Sequence, residues 1–200
     1  VDSNFTGVKT INYSVQDANL CVFNGTVDVD AYKMLTGLTI TGTDVTCIAT
    51  QSDVTVVANG GYPGYTYEIV SPASATGNIT GATSGIFTDL DPDTYRFKAT
   101  DSNGCSIEGE HTVERVVNIT ASGANVKNVD CNDTPAQSNG SVAFTIANFT
   151  GAYTYTVSGP ATGTDTKVSY AGYDVITVTG LPIGKYKIDI LDSVTRCRAS

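Results

Sequence analysis

The sequence has few charged residues, no tryptophan, one methionine and one histidine. Charged residues make up 16% of its 200 residues, below the roughly 25% of an average soluble domain. Lysine and arginine total 11 against 20 acidic residues, which gives a formal net charge of -9. So little positive charge cannot form the dense basic surface that nucleic acid phosphates require. We therefore expect no nucleic acid partner.

Long apolar runs are also missing. No segment approaches the roughly 18 consecutive apolar residues of a membrane-spanning helix. The first residues lack the basic segment followed by an apolar segment that marks a secretion signal. We expect no membrane span in this chain, and we expect any export signal to lie outside it.

Residues that favour strands and turns are abundant instead, including 20 glycines and 11 tyrosines. Apolar and polar residues alternate in short runs such as 142–146 and 186–190, and no segment has helical spacing. Asn-Gly pairs at 59–60 and 139–140 supply turn residues that tolerate positive φ. About seven short strands per 80 to 90 residues are typical of a β-sandwich. We predict an all-β fold of tandem immunoglobulin-like β-sandwich domains arranged end to end.

The cysteines reveal an internal repeat. They are Cys21, Cys47, Cys105, Cys131 and Cys197. Residues 11–21 and 95–105 share one pattern, an alternating strand that enters an Asp-x-Asn-x-Cys turn, at an offset of 84 residues. A third version at 186–192 leads to the last cysteine with one extra residue in the turn. The sequence therefore repeats with a period of about 84 to 92 residues.

This period divides the chain into one incomplete and two complete units. Residues 1–35 are predicted to be the C-terminal hairpin of a repeat whose beginning is missing. Residues 40–118 and 119–200 are predicted to be complete β-sandwich repeats. The odd number of cysteines then has an explanation, because Cys21 would bond to a residue outside the fragment. We therefore expect the chain to be part of a longer protein.

Two disulfide pairings are compatible with this division. In the first, each complete repeat closes on itself, with Cys47 bonded to Cys105 and Cys131 bonded to Cys197. In the second, Cys21 bonds to Cys47 and Cys105 bonds to Cys131, which joins neighbouring repeats and agrees with their constant spacing. We favour the first, because the first and last strands of such a sandwich commonly lie side by side, within disulfide reach. Either pairing needs an oxidising compartment, whereas reduced, buried thiols would not.

Four residues are candidate ligand contacts. Tyr62 precedes a Pro-Gly turn and is expected to be exposed, where its ring could stack on a sugar. Asp89, Asp91 and Asp93 have the opening spacing of a calcium loop, because alternating carboxylates can converge on a hard cation. Threonines stand where such a loop requires glycine and glutamate. We therefore expect an acidic hairpin turn, with no metal site.

The sequence contains no recognisable catalytic group. His111 is the only histidine and no serine or cysteine motif supplies a partner for it, so we expect it to face solvent on a strand. Tyr65 and Tyr67 fall on one face of a strand, as do Tyr153 and Tyr155, and packing is favoured over sugar binding. We expect a protein that is not an enzyme and uses no cofactor.

Several motifs recur in the two complete units. Gly-Gly-x-Pro-x-Tyr-Thr-Tyr occupies 60–67, and Leu-x-x-x-x-Tyr-x-Phe-x-Ala-x-Asp-x-Asn-Gly-Cys occupies 90–105. The last unit has Tyr-Thr-Tyr at 153–155 and Gly-Leu-Pro-Ile-Gly-Lys-Tyr at 180–186. With the opening Cys47, these motifs resemble the SprB repeat, which is found in a gliding-motility adhesin and related large surface proteins of Bacteroidota.

The resemblance covers nearly the whole chain, with departures in the turns at 91–94 and 194–196. It implies a fragment of a large repetitive cell-surface adhesin, exported across the outer membrane by the type IX pathway, which forms a filament used in surface attachment and gliding motility. The implied partners are an extracellular surface or polysaccharide, with the gliding and secretion machinery engaged by other parts of the parent protein. A glycan-binding or spacer module of a secreted multidomain protein is the alternative.

Overall fold

The computed structural model describes residues 7–29, 33–130, 138–161, 163–168 and 172–200. Within these ranges the only helical element is one short 3-10 turn, and the all-β prediction is confirmed. The strands are β1 (Lys9–Gln16), β2 (Val22–Val29), β3 (Leu35–Gly42), β4 (Ser52–Gly60), β5 (Thr66–Ser71), β6 (Ile86–Leu90), β7 (Thr94–Thr100), β8 (Ser106–Thr112), β9 (Thr120–Lys127), β10 (Gly140–Ala147), β11 (Ala152–Ser158), β12 (Gly163–Val168), β13 (Tyr173–Leu181), β14 (Lys187–Asp192) and β15 (Arg198–Ala199).

Strands β3 to β8 form the middle sandwich. One antiparallel sheet has the order β3-β4-β6 and the other has the order β5-β7-β8. This division of six strands between two sheets is immunoglobulin-like. The alternating apolar residues of both sheets meet in one core, whose buried members are Val54, Val56, Ile69, Phe87, Leu90, Tyr95, Phe97 and Val113.

Strands β9 to β15 form the C-terminal sandwich, which has the same strand order with one added edge strand, β12. Its sheets have the orders β13-β10-β9 and β12-β11-β14-β15. The buried core residues are Ile119, Phe144, Ile146, Phe149, Tyr153, Val157, Ile176, Ile188, Ile190 and Cys197. The two units confirm the prediction of tandem immunoglobulin-like sandwiches.

The middle sandwich begins earlier than its sequence boundary at residue 40. Strand β3 starts at Leu35 and pairs along its length with β4. Gly60 at the end of β4 has φ +78°, and a side chain there would overlap the carbonyl oxygen of Met34. The neighbouring N–H of Gly61 donates a hydrogen bond of 2.9 Å to that same oxygen. The pair Gly60 and Gly61 therefore allows the backbone at Met34, just before β3, to pack closely against the end of β4.

Strands β3 and β8, the first and last of the middle sandwich, lie side by side and run in the same direction. Near the middle of β8, a side chain at Gly109 would touch Leu38 and Ile40 of β3. Near the ends of both strands, a side chain at Gly42 would meet the ring of His111 at 2.7 Å. His111 is half-buried in the space that Gly42 leaves, so the expectation that it faces solvent is wrong.

Strands β1 and β2 form a separate antiparallel hairpin, and among the described strands each pairs only with the other. Ile11 lies opposite Val27, and Val15 lies opposite Phe23. The side chains of alternate residues point to the same face, so these four residues share a face with Tyr13. All five are exposed. The hairpin thus presents an apolar face that no described residue covers.

Candidate functional site

An aspartate-centred turn follows the equivalent strand in the hairpin and in both sandwiches. In each turn, the N–H of the aspartate donates to the carbonyl oxygen of the cysteine that follows. The pairs are Asp17–Cys21, Asp101–Cys105 and Asp192–Cys197, with distances of 3.0, 2.9 and 3.0 Å. The residue before each cysteine has a positive φ, 68° at Leu20, 81° at Gly104 and 59° at Arg196, so the extra residue of the last turn leaves this feature unchanged. The three cysteines are therefore held at equivalent positions.

The turn of the middle sandwich is organised by the buried Asp101 carboxylate. Its Oδ1 accepts hydrogen bonds from the N–H groups of Asn103 and Cys105, and its Oδ2 accepts one from the N–H of Tyr62. Burial by itself would raise the pKa of Asp101, but these three donors stabilise the carboxylate and hold its pKa below the ordinary value. The charged form of Asp101 is thus part of the folded turn.

Asp192 organises the turn of the C-terminal sandwich in the same way. Its Oδ1 accepts from the N–H groups of Val194 and Thr195 at 2.8 and 2.9 Å, and its Oδ2 accepts from the N–H of Thr150 at 2.8 Å. Asp192 is fully buried. Because every bond goes to backbone, the carboxylate fixes the path of the chain just before Cys197.

A disulfide joins this turn to the middle sandwich. Cys197 is bonded to Cys47, with their Cα atoms 5.0 Å apart and a sequence separation of 150. The N–H of Cys47 also donates to the carbonyl oxygen of Thr195 at 2.9 Å. The loop that carries Cys47 is held by the hydroxyl of Thr46, which accepts from the N–H of Ala49. Covalent and hydrogen bonds thus connect the facing ends of the two sandwiches.

This bond overturns the favoured pairing. Cys47 bonds to neither Cys105 nor Cys21, and Cys197 does not bond to Cys131, which lies outside the described residues. The first and last strands are adjacent as expected, but they run in the same direction. Cys47 therefore follows the end of β3, whereas Cys105 precedes the start of β8 at the opposite end of the sandwich. The alternative pairing of Cys21 with Cys47 is wrong as well, since Cys47 is occupied. The alternative pairing of Cys105 with Cys131 stays a prediction, since Cys131 lies outside the described residues.

The segment between the two sandwiches is short and anchored at both ends. Val113 is buried in the middle core, and Ile119 is buried in the C-terminal core. Val116 packs against the C-terminal core as well. Asn118 places its Oδ1 3.2 Å from the sulfur of Cys47 and 3.6 Å from that of Cys197. Apolar anchors and a disulfide together bind the two sandwiches at this junction.

Tyr62 lies at the end of the middle sandwich opposite the junction. It is half-buried rather than exposed as expected, because its N–H binds Asp101. The ammonium of Lys33 lies 5.7 Å from the centre of its ring, within the range of a cation–π contact. A role for Tyr62 in ligand binding stays a prediction.

The acidic turn lies at the junction end of the middle sandwich. The side-chain amide of Gln51 donates to the carbonyl oxygen of Asp89 and to Oδ1 of Asp91, both at 3.1 Å. The carboxylate of Asp93 accepts from the N–H of the next residue at 2.7 Å. Strand β4 separates this turn from Tyr62, about 26 Å at its usual rise per residue. The structure does not gather the four candidate contacts into one site.

A tyrosine corner explains the Leu-x-x-x-x-Tyr motif of both repeats. The hydroxyl of Tyr95 donates to the carbonyl oxygen of Asp91 at 2.7 Å, and that of Tyr186 donates to the carbonyl oxygen of Pro182 at 3.0 Å. Burial, followed by the charges of Asp91 and Asp93, raises the pKa of Tyr95 and keeps the donor protonated. Such corners are typical of immunoglobulin-like sandwiches.

The paired tyrosines have packing roles. Tyr153 is fully buried, and its hydroxyl donates to Oδ2 of Asp174 at 2.8 Å across the two sheets. Burial and then this hydrogen bond raise the pKa of Tyr153. Tyr67 and Tyr155 pack partly against their cores. Tyr65 is half-buried and donates to the carbonyl oxygen of Gly60 at 2.6 Å. The packing interpretation of these tyrosines is confirmed.

Comparison with known proteins finds similarity to solved structures. No protein-family model and no curated protein matches the chain. The chain is similar to a solved structure described as a tetra-tandem repeat in the extending region of a large adhesion protein, at 17% identity and a TM-score of 0.31. The alignment covers 98% of this chain and 57% of the other, so the chain spans little more than half of that structure. A similarity this weak carries no argument about function, and the resemblance to the SprB repeat stays a prediction.

The described ranges contain no helix that is long and apolar enough to cross a membrane. The same ranges contain no group of three His, Cys, Asp or Glu side chains arranged to hold a metal ion.

Proposed function

We propose that the chain is a load-bearing segment of a large repetitive cell-surface adhesin. The observation that carries this proposal is the Cys47–Cys197 disulfide, which connects two consecutive sandwiches across their junction. Hydrogen bonds between strands shear when a sandwich is pulled, whereas a covalent bond persists. Consecutive domains joined in this way suit a filament that transmits tension between a cell and a surface.

The charge and the compartment agree with such a filament. A net charge of -9 keeps neighbouring filaments apart by repulsion. A stable disulfide requires an oxidising environment, which supports a location outside the cytosol. From the resemblance to the SprB repeat we further propose display on the cell surface after export across the outer membrane by the type IX pathway. The role is attachment during gliding motility, and other parts of the parent protein engage the gliding and secretion machinery.

The proposal is tested on cells that carry the parent gene. Antibody fragments raised against the purified chain should label intact cells, and deletion of the gene should abolish attachment to glass and gliding. A strain with the gene restored serves as the control. Label that enters only after permeabilisation would contradict surface display, and normal attachment by the deletion strain would contradict adhesion.

A glycan-binding module is the second candidate, favoured by a groove in the C-terminal sandwich. The groove has a volume of about 530 Å³. Its walls combine the amide side chains of Asn125 and Asn128 with the apolar surfaces of Ile183 and Tyr186. Amides that hydrogen-bond hydroxyl groups, beside rings and aliphatic groups that contact sugar faces, are the chemistry of carbohydrate recognition.

The two candidates are separated by measuring binding of the oxidised chain to a panel of polysaccharides, with and without calcium. Saturable binding that is lost in Asn128→Ala but kept in Tyr62→Ala would assign recognition to the groove. Loss in Tyr62→Ala alone would assign it to the other end of the middle sandwich. The spacer role predicts no saturable binding to any member of the panel.

A further inference from the structure

The hairpin of β1 and β2 has the same internal geometry as the corresponding part of the middle sandwich. Oδ1 of Asp17 accepts from the N–H groups of Asn19 and Cys21, at 2.8 and 2.9 Å. Oδ1 of Asp101 accepts from the residues at the same two offsets, at 3.0 and 2.9 Å. Strands β1 and β7, which lead into these turns, have the same alternation of apolar and polar residues. Cys21 therefore occupies the position of Cys105 in the middle sandwich, and the bond from the aspartate N–H to the cysteine carbonyl, which all three turns share, relates both to Cys197 in the C-terminal sandwich.

Residues on the apolar face of the hairpin correspond to core residues of the middle sandwich. At an offset of 84 residues, Tyr13 corresponds to Phe97 and Val15 corresponds to Ala99. The two hairpin residues are 46% and 59% exposed, whereas both core residues are 0% exposed. In the middle sandwich this face is covered by the sheet β3-β4-β6. The hairpin face thus has the composition of a sandwich core and lacks its opposing sheet within the described residues.

We propose that Cys21 is a disulfide site for the opening cysteine of a preceding repeat of the same kind. The inference rests on the proposed repetitive adhesin and specifies how its repeats are joined. The pattern is set by Cys47 and Cys197: the opening cysteine of one repeat bonds to the turn cysteine of the next repeat. Cys21 is exposed, carries the same turn geometry, and forms no disulfide with the described cysteines. Its partner is a thiol in a loop equivalent to residues 46–49.

The bond forms by thiol–disulfide exchange with a disulfide oxidant. The Cys21 thiolate attacks one sulfur of the oxidant, which yields a mixed disulfide and releases one thiol of the oxidant. The thiolate of the preceding repeat then attacks the Cys21 sulfur, forms the bond between the repeats and releases the second oxidant thiol. Two electrons pass to the oxidant, and the two protons of the reacting thiols balance its reduction to a dithiol.

The consequence is a second covalent loop along the filament, which precedes the loop closed by Cys47 and Cys197. The loop closed by Cys47 and Cys197 spans 150 residues, nearly two repeat periods. A loop closed at Cys21 would begin in the preceding repeat and end in the repeat that contains the hairpin. The junction between the preceding repeat and the repeat that contains the hairpin would then carry a disulfide, and tension would cross it without unfolding the residues inside the loop.

The test is disulfide mapping of the full-length protein isolated from cells under oxidising conditions. Free thiols are alkylated at low pH, and the unreduced protein is digested with trypsin. Trypsin places the five cysteines of this chain on five different peptides, since lysine or arginine separates each pair of neighbours. Every disulfide-linked pair can therefore be identified by mass. The linkage of Cys47 to Cys197 in the same digest is the internal control.

The expected result is that the peptide of residues 10–33 is linked to a peptide that aligns with the opening loop of a preceding repeat. Recovery of Cys21 in alkylated form, or linked to any other cysteine, would overturn the inference while leaving the adhesin proposal intact. A parent sequence without a preceding repeat would overturn both. As a second measurement, Cys21→Ser in the full-length protein should abolish that one linkage and leave the Cys47–Cys197 bond unchanged.

Discussion

The hydroxyl of Tyr95 shows how one atom fixes a turn. Its bond to the carbonyl oxygen of Asp91 holds the chain as it passes from one sheet to the other, and Tyr186 repeats this role in the C-terminal sandwich. The sequence motif of a leucine five residues before each tyrosine identifies a repeat but does not reveal why the spacing is kept. The structure supplies the reason, because the leucine is buried in the core and the tyrosine hydroxyl bridges the intervening turn.

Replacing Tyr95 with phenylalanine should lower the free energy of unfolding of the middle sandwich by about 1 kcal/mol, the usual net value of one hydrogen bond. The ring stays buried, so packing is preserved. Tyr186→Phe should have a similar effect on the C-terminal sandwich. Urea unfolding followed by tyrosine fluorescence measures both. The exposed Tyr173→Phe is the control and should change stability by less than about 0.5 kcal/mol; equal effects in all three variants would contradict a special role for the corner.

The carboxylate of Asp101 should make the stability of the middle sandwich depend on pH. Its pKa is depressed in the folded state, so the unfolded state binds more protons and stability rises with pH. The contribution is present above the unfolded pKa of about 3.9 and is lost as pH falls through the lower folded pKa. Asp101→Asn should therefore destabilise the protein at pH 7 and have a smaller effect near pH 3.

Urea unfolding at the two pH values measures this difference. Asp89→Asn is a matched control, because Asp89 is exposed and asparagine also tolerates its positive φ of 59°. The control should unfold like the wild type at pH 7. A destabilisation by Asp101→Asn that stays constant down to pH 3 would show that shape, and not charge, matters at this turn.

At the scale of elements, identical strand patterns have different environments in this chain. The hairpin and the β7–β8 pair share alternation, turn and cysteine, yet among the described strands an opposing sheet covers only the second pair. Burial of an apolar side chain contributes stability only where other atoms replace the water. Equivalent residues of the repeat should therefore respond differently to the same substitution.

Phe97→Ala should destabilise the middle sandwich by about 3–5 kcal/mol, because it opens a cavity in a closed core. Tyr13→Ala, at the equivalent position of the hairpin, should change the unfolding of either sandwich by less than about 0.5 kcal/mol. Differential scanning calorimetry of the two variants provides the comparison. A large loss of sandwich stability in Tyr13→Ala would mean that the hairpin packs on a neighbouring unit.

At the scale of the whole molecule, the disulfide changes the path along which force travels. When the two ends of the chain are pulled apart, tension reaches Cys47, crosses the bond and continues from Cys197. The residues between the two cysteines form a closed loop and are shielded from the applied force. Under tension, the residues between Cys47 and Cys197 therefore add nothing to the extension of the molecule as long as the disulfide is intact.

Reduction should add about 540 Å to the contour length measured by single-molecule pulling, since about 150 hidden residues extend by about 3.6 Å each. Cys47→Ser should show the long contour length without a reductant. Cys21→Ser is the control and should behave like the oxidised wild type. Equal lengths before and after reduction would exclude the bond between the two sandwiches.

Local features of this protein are determined by its sequence. Alternation with a period of two predicts strands, glycine and asparagine mark turns, and the spacing of cysteines and tyrosines reveals the repeat, because each feature depends on residues close in the chain. The all-β tandem sandwich fold follows from these features. The packing role of Tyr153 also follows, since tyrosines in strands usually pack against their cross-strand neighbours.

The disulfide partners were decided only by the tertiary structure. The expected adjacency of the first and last strands suggests that Cys47 and Cys105 meet, but the parallel course of β3 and β8 places them at opposite ends of a sandwich. The order in which the units are stacked then brings Cys197 to Cys47 across 150 residues. Strand direction and domain stacking depend on contacts between segments that are distant in the chain. A pattern of neighbouring residues does not predict such contacts.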